Sequence, residues 1–257
     1  MAGAGEVRGT AGRAPGSVVL FDMDDTIFDH ALTSQAALRE LRRTEPPLRS
    51  RSVVALWQEY SRLLEEAHPA VLSGAITVEE SRIRRFAKLV SFAGGPSDRA
   101  NAERLSKRYR ALYRQFRRPV PGVRGLLERI HRRVTVGVVT NNQVAEQEEK
   151  LAFLGVDRTI DFMIVSEAAG VAKPDPRIFE LALERAHAPP ERSVMIGDSW
   201  ENDILGARSA GIRAVWFNRF ARPRPAPLEV AEVESFRRPA EVERILLGSG
   251  RPGEGSG

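Results

Sequence analysis

The chain contains the stretch Val18-Val19-Leu20-Phe21-Asp22-Met23-Asp24-Asp25-Thr26, in which an apolar run ends in two carboxylates two residues apart, followed by a hydroxyl. The run predicts a short buried strand. In open α/β sheets, ligands bind at the carboxyl ends of the strands. One interpretation of the stretch is therefore a nucleophilic carboxylate, a second acid for proton transfer and a bound cation. The alternative is a solvated acidic turn after a strand.

Three later apolar runs also end in residues suited to phosphate or to a divalent cation. They are residues 134–139 before Thr140-Asn141-Asn142, residues 162–165 before Lys173-Pro174-Asp175, and residues 193–196 before Gly197-Asp198-Ser199, with Asp203 beyond. Any one of them could be ordinary turn chemistry. Four in this order, with helix-length segments between them, predict one site assembled at one edge of a sheet.

Composition places the chain among ordinary globular proteins. It has 257 residues, of which 42% are hydrophobic and 28% charged, and no cysteine, which excludes disulfides and thiol catalysis. No stretch approaches the roughly 20 apolar residues of a membrane span. The N-terminal residues 1–16 lack the apolar segment of a secretory signal. We therefore expect a cytoplasmic protein without a membrane partner.

The net charge of +5 raises the question of nucleic-acid binding. The basic residues are mostly arginines scattered along predicted helices and tails, and no nucleic-acid motif is present. We therefore expect no nucleic-acid partner, although positive surface can steer an anionic substrate toward its site. Lys173 is one of four lysines in the chain, and it falls in a strand-end motif.

The sequence predicts two kinds of structure in separate regions. Helical patterns cover about 31–43, 50–68, 77–93 and 98–116 without a strand candidate between them, which indicates a helical domain over 31–118. From Pro119 onward helices and strands alternate, which predicts an α/β core of 17–30 and 119–220 with a doubly wound, mostly parallel sheet. The tails, 1–16 and 221–257, are rich in Gly, Pro and Arg, and we expect most of their length to lack fixed structure. One helix is possible in 230–247.

The four motifs together resemble those of the haloacid dehalogenase superfamily of phosphotransferases and phosphatases, over roughly residues 17–219. The resemblance implies a Rossmann-like core in which strands one and four are adjacent. It also implies that the helical insertion is a cap over the active site, with hinges near 28–30 and 119–122. The dehalogenases of the superfamily lack an acid two residues after the nucleophile. Because this chain has Asp24 there, we interpret the site as one for phosphate esters.

The resemblance implies a role for each motif residue. Asp22 is the nucleophile that becomes an aspartyl-phosphate, and Asp24 is the general acid and base. Thr140, Asn141 and Lys173 bind the phosphoryl group together with Asp22. A Mg²⁺ ion is held by Asp22, by Asp198 and by the backbone carbonyl of Asp24, whereas Asp203 orients the last motif or pairs with Lys173. The absence of cysteine and the small number of histidines, four in the whole chain, argue against zinc.

Further stretches, among them 56–60, 73–77, 197–204 and 214–218, resemble the branch of pyrimidine 5′-nucleotidases and N-acylneuraminate-9-phosphatases. The predicted activity is magnesium-dependent hydrolysis of a small phosphorylated metabolite, with a nucleoside monophosphate as the first candidate. Trp57 could stack on a base, although packing between helices is the interpretation that we favour, since large aromatic side chains are mostly packing residues. Sugar-phosphate hydrolysis, a phosphomutase and a non-catalytic binding domain on the same fold remain as alternatives.

Overall fold

The computed structural model describes residues 13–96 and 98–248. Within these ranges the chain divides into two compact units. The helical unit comprises Asp29–Arg118, and the α/β unit comprises the described residues on either side of it. The two connections lie side by side, because Phe28 forms a β-bridge with Pro119 and the amide of Asp29 donates to the carbonyl of Arg118 over 3.1 Å.

The α/β unit is built on a six-stranded parallel sheet with the order β3-β2-β1-β4-β5-β6. The strands are β1 Val18–Phe21, β2 Thr135–Thr140, β3 Phe162–Val165, β4 Ser193–Gly197, β5 Arg213–Phe217 and β6 Ala231–Val233. All four residues of β1 and all five of β4 are buried, as expected for central strands covered on both faces. The predicted α/β fold class, a doubly wound parallel sheet with a helical insertion, is confirmed.

Helices of the α/β unit flank this sheet. They are α5 Val123–His131, α6 Val144–Leu154, α7 Ser166–Ala169, α8 Pro176–Ala186, α9 Gly206–Ser209 and α10 Pro239–Leu247. The position of Gly155 in the sequence predicts a helix C-cap, and Gly155 does end α6 in the left-handed conformation, with φ of 63°. The sequence predicts a helix over 201–210, but in the structure Trp200–Leu205 forms π-helical turns and the α-helix is limited to α9. Such turns often occur at functional sites.

The helical unit contains four longer helices and a 3₁₀ turn at Pro46–Ser50. The helices are α1 His30–Thr44, α2 Val53–Leu72, α3 Val78–Phe92 and α4 Arg99–Gln115. Their first residues are fixed by side-chain caps; Thr77, for example, accepts a hydrogen bond from the amide of Glu80, as its capping-box spacing predicts. Leu38, Phe86 and Leu105 are among the apolar residues that form a core of their own in this unit.

The C-terminal stretch carries more structure than the predicted, largely unstructured tail, and the possible helix in 230–247 is present as α10. It contributes β6, which pairs in parallel with β5, and α10, which packs against α5. Phe236 is fully buried and stacks on Phe217 with a centroid distance of 4.0 Å. A few well-spaced apolar side chains thus anchor a segment whose average composition is polar.

Candidate active site

The predicted motif residues of the α/β unit meet at the carboxyl ends of β1, β2 and β4. In the register of the sheet, Phe21 pairs with Val138 on one side and with Ile196 on the other. Asp22 continues this pairing, since its amide donates to the carbonyl of Ile196 over 3.0 Å. Strands one and four are therefore adjacent. Asp22 follows β1, Thr140 is the last residue of β2 and Asp198 follows β4, so the three residues lie at one edge of the sheet.

Lys173 links two buried carboxylates. Its Nζ lies 2.6 Å from Oδ1 of Asp22 and 2.6 Å from Oδ1 of Asp203. All three side chains are almost inaccessible, with 3% of Lys173, 8% of Asp22 and 1% of Asp203 exposed. Burial raises the pKa of Asp22 to about 7, although the ammonium of Lys173 acts in the opposite direction. Burial would lower the pKa of Lys173, but Asp203 and Asp22 together hold it above its usual value.

A carboxylate cluster suited to a cation includes Asp22, Asp198 and Asp203, with one oxygen of each within 4.8 Å of the others. Burial and then the neighbouring charges of Asp25 and Asp22 raise the pKa of Asp198 well above its usual value. The side chains around these acids therefore compensate their negative charge incompletely. A hard divalent cation with oxygen ligands would supply the missing charge, so the residues present fit a magnesium-type site.

Backbone geometry keeps this cluster in place. The amide of Ser199 donates to Oδ2 of Asp203 over 3.0 Å, and Nε1 of Trp216 donates to the carbonyl of Asp198 over 3.0 Å. Gly197 leaves room for Asp203, because a side chain at Gly197 would overlap that carboxylate. The turn after β1 places Asp25 in the left-handed region with φ of 63°, and its amide donates to the carbonyl of Phe28.

The side chain of Asp24 lies in a different polar network. Both of its oxygens contact Nζ of Lys150, at 2.6 Å and 2.7 Å, and Oδ2 also accepts from Asn142 and Gln147 at 3.2 Å each. Among the described residues, the carboxylate cluster contains Asp203 but not the side chain of Asp24. The expected contribution of the Asp24 backbone carbonyl to a cation, and of its carboxylate to proton transfer, stays a prediction.

Thr140 and Asn141 connect the strand ends. The hydroxyl of Thr140 is buried and accepts a hydrogen bond from Nε2 of Gln147 over 2.9 Å. The side chain of Asn141 donates to the carbonyl of Lys173 over 2.7 Å and accepts from its amide over 2.8 Å. Asn141 thus ties the loop after β2 to the loop that carries Lys173, and its amide group is used in that contact.

Sequence reasoning missed Gln147 and Lys150. Both are on α6, three residues apart, so they share one face of the helix. Both are buried, where a helix against a sheet normally presents apolar side chains. The feature of the sequence that could have pointed to Lys150 is the scarcity of lysine, since Lys150, like Lys173, is one of only four lysines in the chain.

Trp57 belongs to the helical unit. It lies on α2, is half-buried and packs against the apolar core of that unit. In the part of the chain that the structure describes, its Nε1 is buried without a hydrogen-bond partner. These contacts favour a packing role and leave stacking on a base as an untested prediction.

The profile of the haloacid dehalogenase-like hydrolases matches residues 17–211. The chain belongs to this family. Its predicted membership and its predicted enzymatic nature are thereby confirmed. Across the described ranges, no helix combines the length and the apolar character that a membrane crossing requires.

Individual relatives of this hydrolase carry several activities in their names. A phosphoserine phosphatase of Thermus thermophilus is 31% identical over 235 residues, which cover 80% of this chain and 90% of the relative. The pyrimidine 5′-nucleotidase YjjG of Escherichia coli is 30% identical over 245 residues, covering 89% of this chain and 96% of the relative. A solved structure of the HAD-hydrolase YfnB from Bacillus subtilis, bound to magnesium, has a TM-score of 0.69 at 25% identity and covers 91% of this chain and 99% of that one.

Proposed function

We propose that the protein is a magnesium-dependent phosphomonoesterase that works through an aspartyl-phosphate on Asp22. The observation that carries the proposal is the placement of Asp22 at the end of the central strand β1, between the ammonium of Lys173 and the carboxylate of Asp198. A phosphate ester resists nucleophiles because of its own negative charge, so catalysis depends mostly on positioning and on charge compensation. The site thus brings together a nucleophile, the ammonium of Lys173 and a carboxylate cluster that could bind a metal cation.

In the proposed reaction, an oxygen of Asp22 attacks phosphorus and the bond to the ester oxygen breaks. The leaving alkoxide takes a proton from Asp24, which then accepts a proton from water as that water attacks the phosphoenzyme. The second step releases phosphate and restores both carboxyl groups. Lys173 would compensate the charge on Asp22 and phosphate, and the hydroxyl of Thr140 would bind a phosphate oxygen. Because the side chain of Asn141 is engaged with Lys173, its backbone N–H is the group left for phosphate.

The residues that would hold Mg²⁺ are Asp22, Asp198 and the backbone carbonyl of Asp24, with Asp203 next to them. When bound, Mg²⁺ would compensate the negative charge of phosphate and nucleophile. The magnesium in the YfnB structure supports this choice of metal.

For the substrate, we propose a small phosphorylated metabolite with a nucleoside monophosphate as the first candidate. The similarity to YjjG across nearly its whole length supports this choice. The similarity to a phosphoserine phosphatase is of the same size, so the assay needs several ester classes. The helical unit is proposed to act as a cap that excludes water, because its two connections run side by side at Phe28–Asp29 and Arg118–Pro119 and could bend together.

Hydrolysis of 4-nitrophenyl phosphate with and without magnesium tests the reaction class. A panel of nucleoside monophosphates, sugar phosphates and phosphoserine at equal concentrations tests the substrate. We expect magnesium-dependent release of phosphate, with the highest kcat/KM for a nucleoside monophosphate. If no phosphomonoester is hydrolysed in magnesium, the proposed activity is wrong. If sugar phosphates are preferred, the nucleotidase assignment is wrong and the reaction class stands.

A further inference from the structure

The carboxylate of Asp24 is held by a buried lysine from α6. Lys150 is 6% exposed, and its Nζ contacts both oxygens of Asp24, at 2.6 Å and 2.7 Å. The ammonium also lies 5.3 Å from the ring centroid of Phe28, which is itself fully buried. An ammonium that reaches both oxygens of a carboxylate restricts its rotation more strongly than a contact to one oxygen.

Gln147 and Asn142 add to this restriction. Gln147 donates to Oδ2 of Asp24 and, through the same nitrogen, to the hydroxyl of Thr140. Asn142 donates to the same oxygen of Asp24 over 3.2 Å. The segment from the end of β2 through α6 therefore carries a predicted phosphate-binding residue and also the groups that hold the predicted acid and base. Their relative position is thus set within one continuous piece of backbone.

This ion pair is largely buried, with 7% of the Lys150 side chain and 26% of the Asp24 side chain exposed, and stability alone does not explain it. Removing two charges from water costs as much free energy as their attraction returns, and apolar replacements are often as stable. An apolar residue in place of Lys150 would fill the same space against Phe28 without that cost. The charge at this position therefore calls for an explanation in terms of what it does for Asp24.

Resting on the proposed phosphomonoesterase activity, we propose that Lys150 is a positioning residue that orients the carboxylate of Asp24 for proton exchange with the leaving group. General acid–base catalysis contributes roughly 10² to 10⁴ to a rate, and it depends on hydrogen-bond reach to the reacting atom. Loss of the ammonium lets the carboxylate rotate away, so part of this factor is lost. The effect depends on the substrate, because 4-nitrophenolate leaves readily without a proton whereas an alkoxide needs one.

The test compares kcat/KM for 4-nitrophenyl phosphate with kcat/KM for an alkyl ester in the full-length enzyme with magnesium. The alkyl ester is whichever of uridine 5′-monophosphate and glyceraldehyde 3-phosphate the wild type hydrolyses faster. In Lys150→Met we expect kcat/KM for the alkyl ester to fall about 10- to 100-fold, and that for 4-nitrophenyl phosphate to change less than about threefold. Lys150→Arg, which keeps a cation, should recover most of the alkyl-ester activity.

Two further variants separate positioning from a general structural role. Lys107→Met removes an exposed lysine paired with Glu103 and should leave both substrates unaffected. Adding Lys150→Met to Asp24→Asn should cause no further loss, because a residue that acts through Asp24 has nothing left to orient. If Lys150→Met does not unfold cooperatively in urea, Lys150→Gln takes its place, because glutamine removes the charge but keeps an uncharged hydrogen-bond donor.

The outcomes are distinct. Equal losses for both substrates in a folded variant, unchanged kinetics, or an additive loss in the double variant would each overturn the role of Lys150. A wild type that hydrolyses 4-nitrophenyl phosphate but neither alkyl ester would overturn it too, since the protonation of an alkoxide leaving group assigned to Asp24 would then not take place. A wild type inactive on every ester would instead refute the proposed phosphomonoesterase activity.

Discussion

Replacement of Lys173 by methionine tests the electrostatic account of the site. Lys173→Met keeps a side chain of similar length but removes the ammonium that lies 2.6 Å from both Asp22 and Asp203. Two carboxylates with 8% and 1% of their side chains exposed then lose the cation they share. Neither can reach bulk water without disturbing the strand ends.

The magnitude follows from the cost of an uncompensated buried charge. Breaking a buried ion pair by removing one partner costs about 3–5 kcal/mol. For a unit of this size, 1 kcal/mol shifts the melting temperature by about 2–4 °C, so we expect Tm of the α/β unit to fall by about 6–20 °C. Turnover should fall as well, since the charge on the nucleophile and phosphate is no longer offset.

The pH dependence has a definite sign. Without Lys173, the folded-state pKa of Asp22 rises further, because the ammonium that lowered it is gone. A carboxyl group whose folded-state pKa is raised destabilises the fold above its unfolded pKa, and this penalty fades as pH falls toward that value. The difference between variant and wild type should therefore be largest at pH 8 and shrink by pH 5. Lys173 itself stays protonated across this range, because its pKa is raised.

Urea unfolding of both proteins in chelator, at pH 5, 6.5 and 8, measures this difference. Lys107→Met is the matched control, because it removes the lysine of an exposed pair with Glu103 and should leave the urea midpoint nearly unchanged at every pH. If Lys173→Met costs no more than this control, or if its cost grows as pH falls, the reasoning about the buried triad is refuted.

Further predictions concern the nucleophile, the metal, one glycine and Trp57. Asp22→Asn should lower turnover by roughly 10³-fold or more, because the nucleophile is lost. In chelator at pH 8 the variant should also unfold at a higher urea concentration than wild type, because it lacks a buried carboxylate whose pKa is raised to about 7; at pH 4 this difference should vanish. Activity should vanish in EDTA and return with magnesium but scarcely with calcium, whose looser coordination misplaces the nucleophile; full activity without detectable metal would contradict this. Gly197→Ala should destabilise by about 1–3 kcal/mol in urea unfolding, because its Cβ would overlap Asp203. Trp57→Ala should lower Tm and slow hydrolysis of both 4-nitrophenyl phosphate and a nucleoside monophosphate if Trp57 is a packing residue, whereas an increase of KM for the nucleotide alone would indicate stacking on the base.

The sheet was predictable because its strands are locally distinctive. The run 162–165 matches β3 residue for residue, and the run 193–196 lies within β4, since strands buried on both faces read as continuous apolar segments between turn residues. Helix boundaries were predictable to within a few residues where a cap was visible, as at Thr77 and Gly155. The C-terminal β6 and α10 were less visible, because their apolar residues are few and gain stability only by packing on β5 and α5.

The sequence by itself determined the identity and order of the strand-end motifs, and hence that Asp22, Thr140, Lys173 and Asp198 would follow apolar strands. It could do so because each motif is a local pattern and because parallel strands bring their carboxyl ends to one edge. Which side chains pair there was decided by tertiary structure. Lys150 contacts Asp24, which lies 126 residues away in the sequence, and the side chain of Asn141 donates a hydrogen bond to the backbone of Lys173, 32 residues away. Such contacts depend on strand order and on the face that α6 presents, and no local pattern encodes either of them.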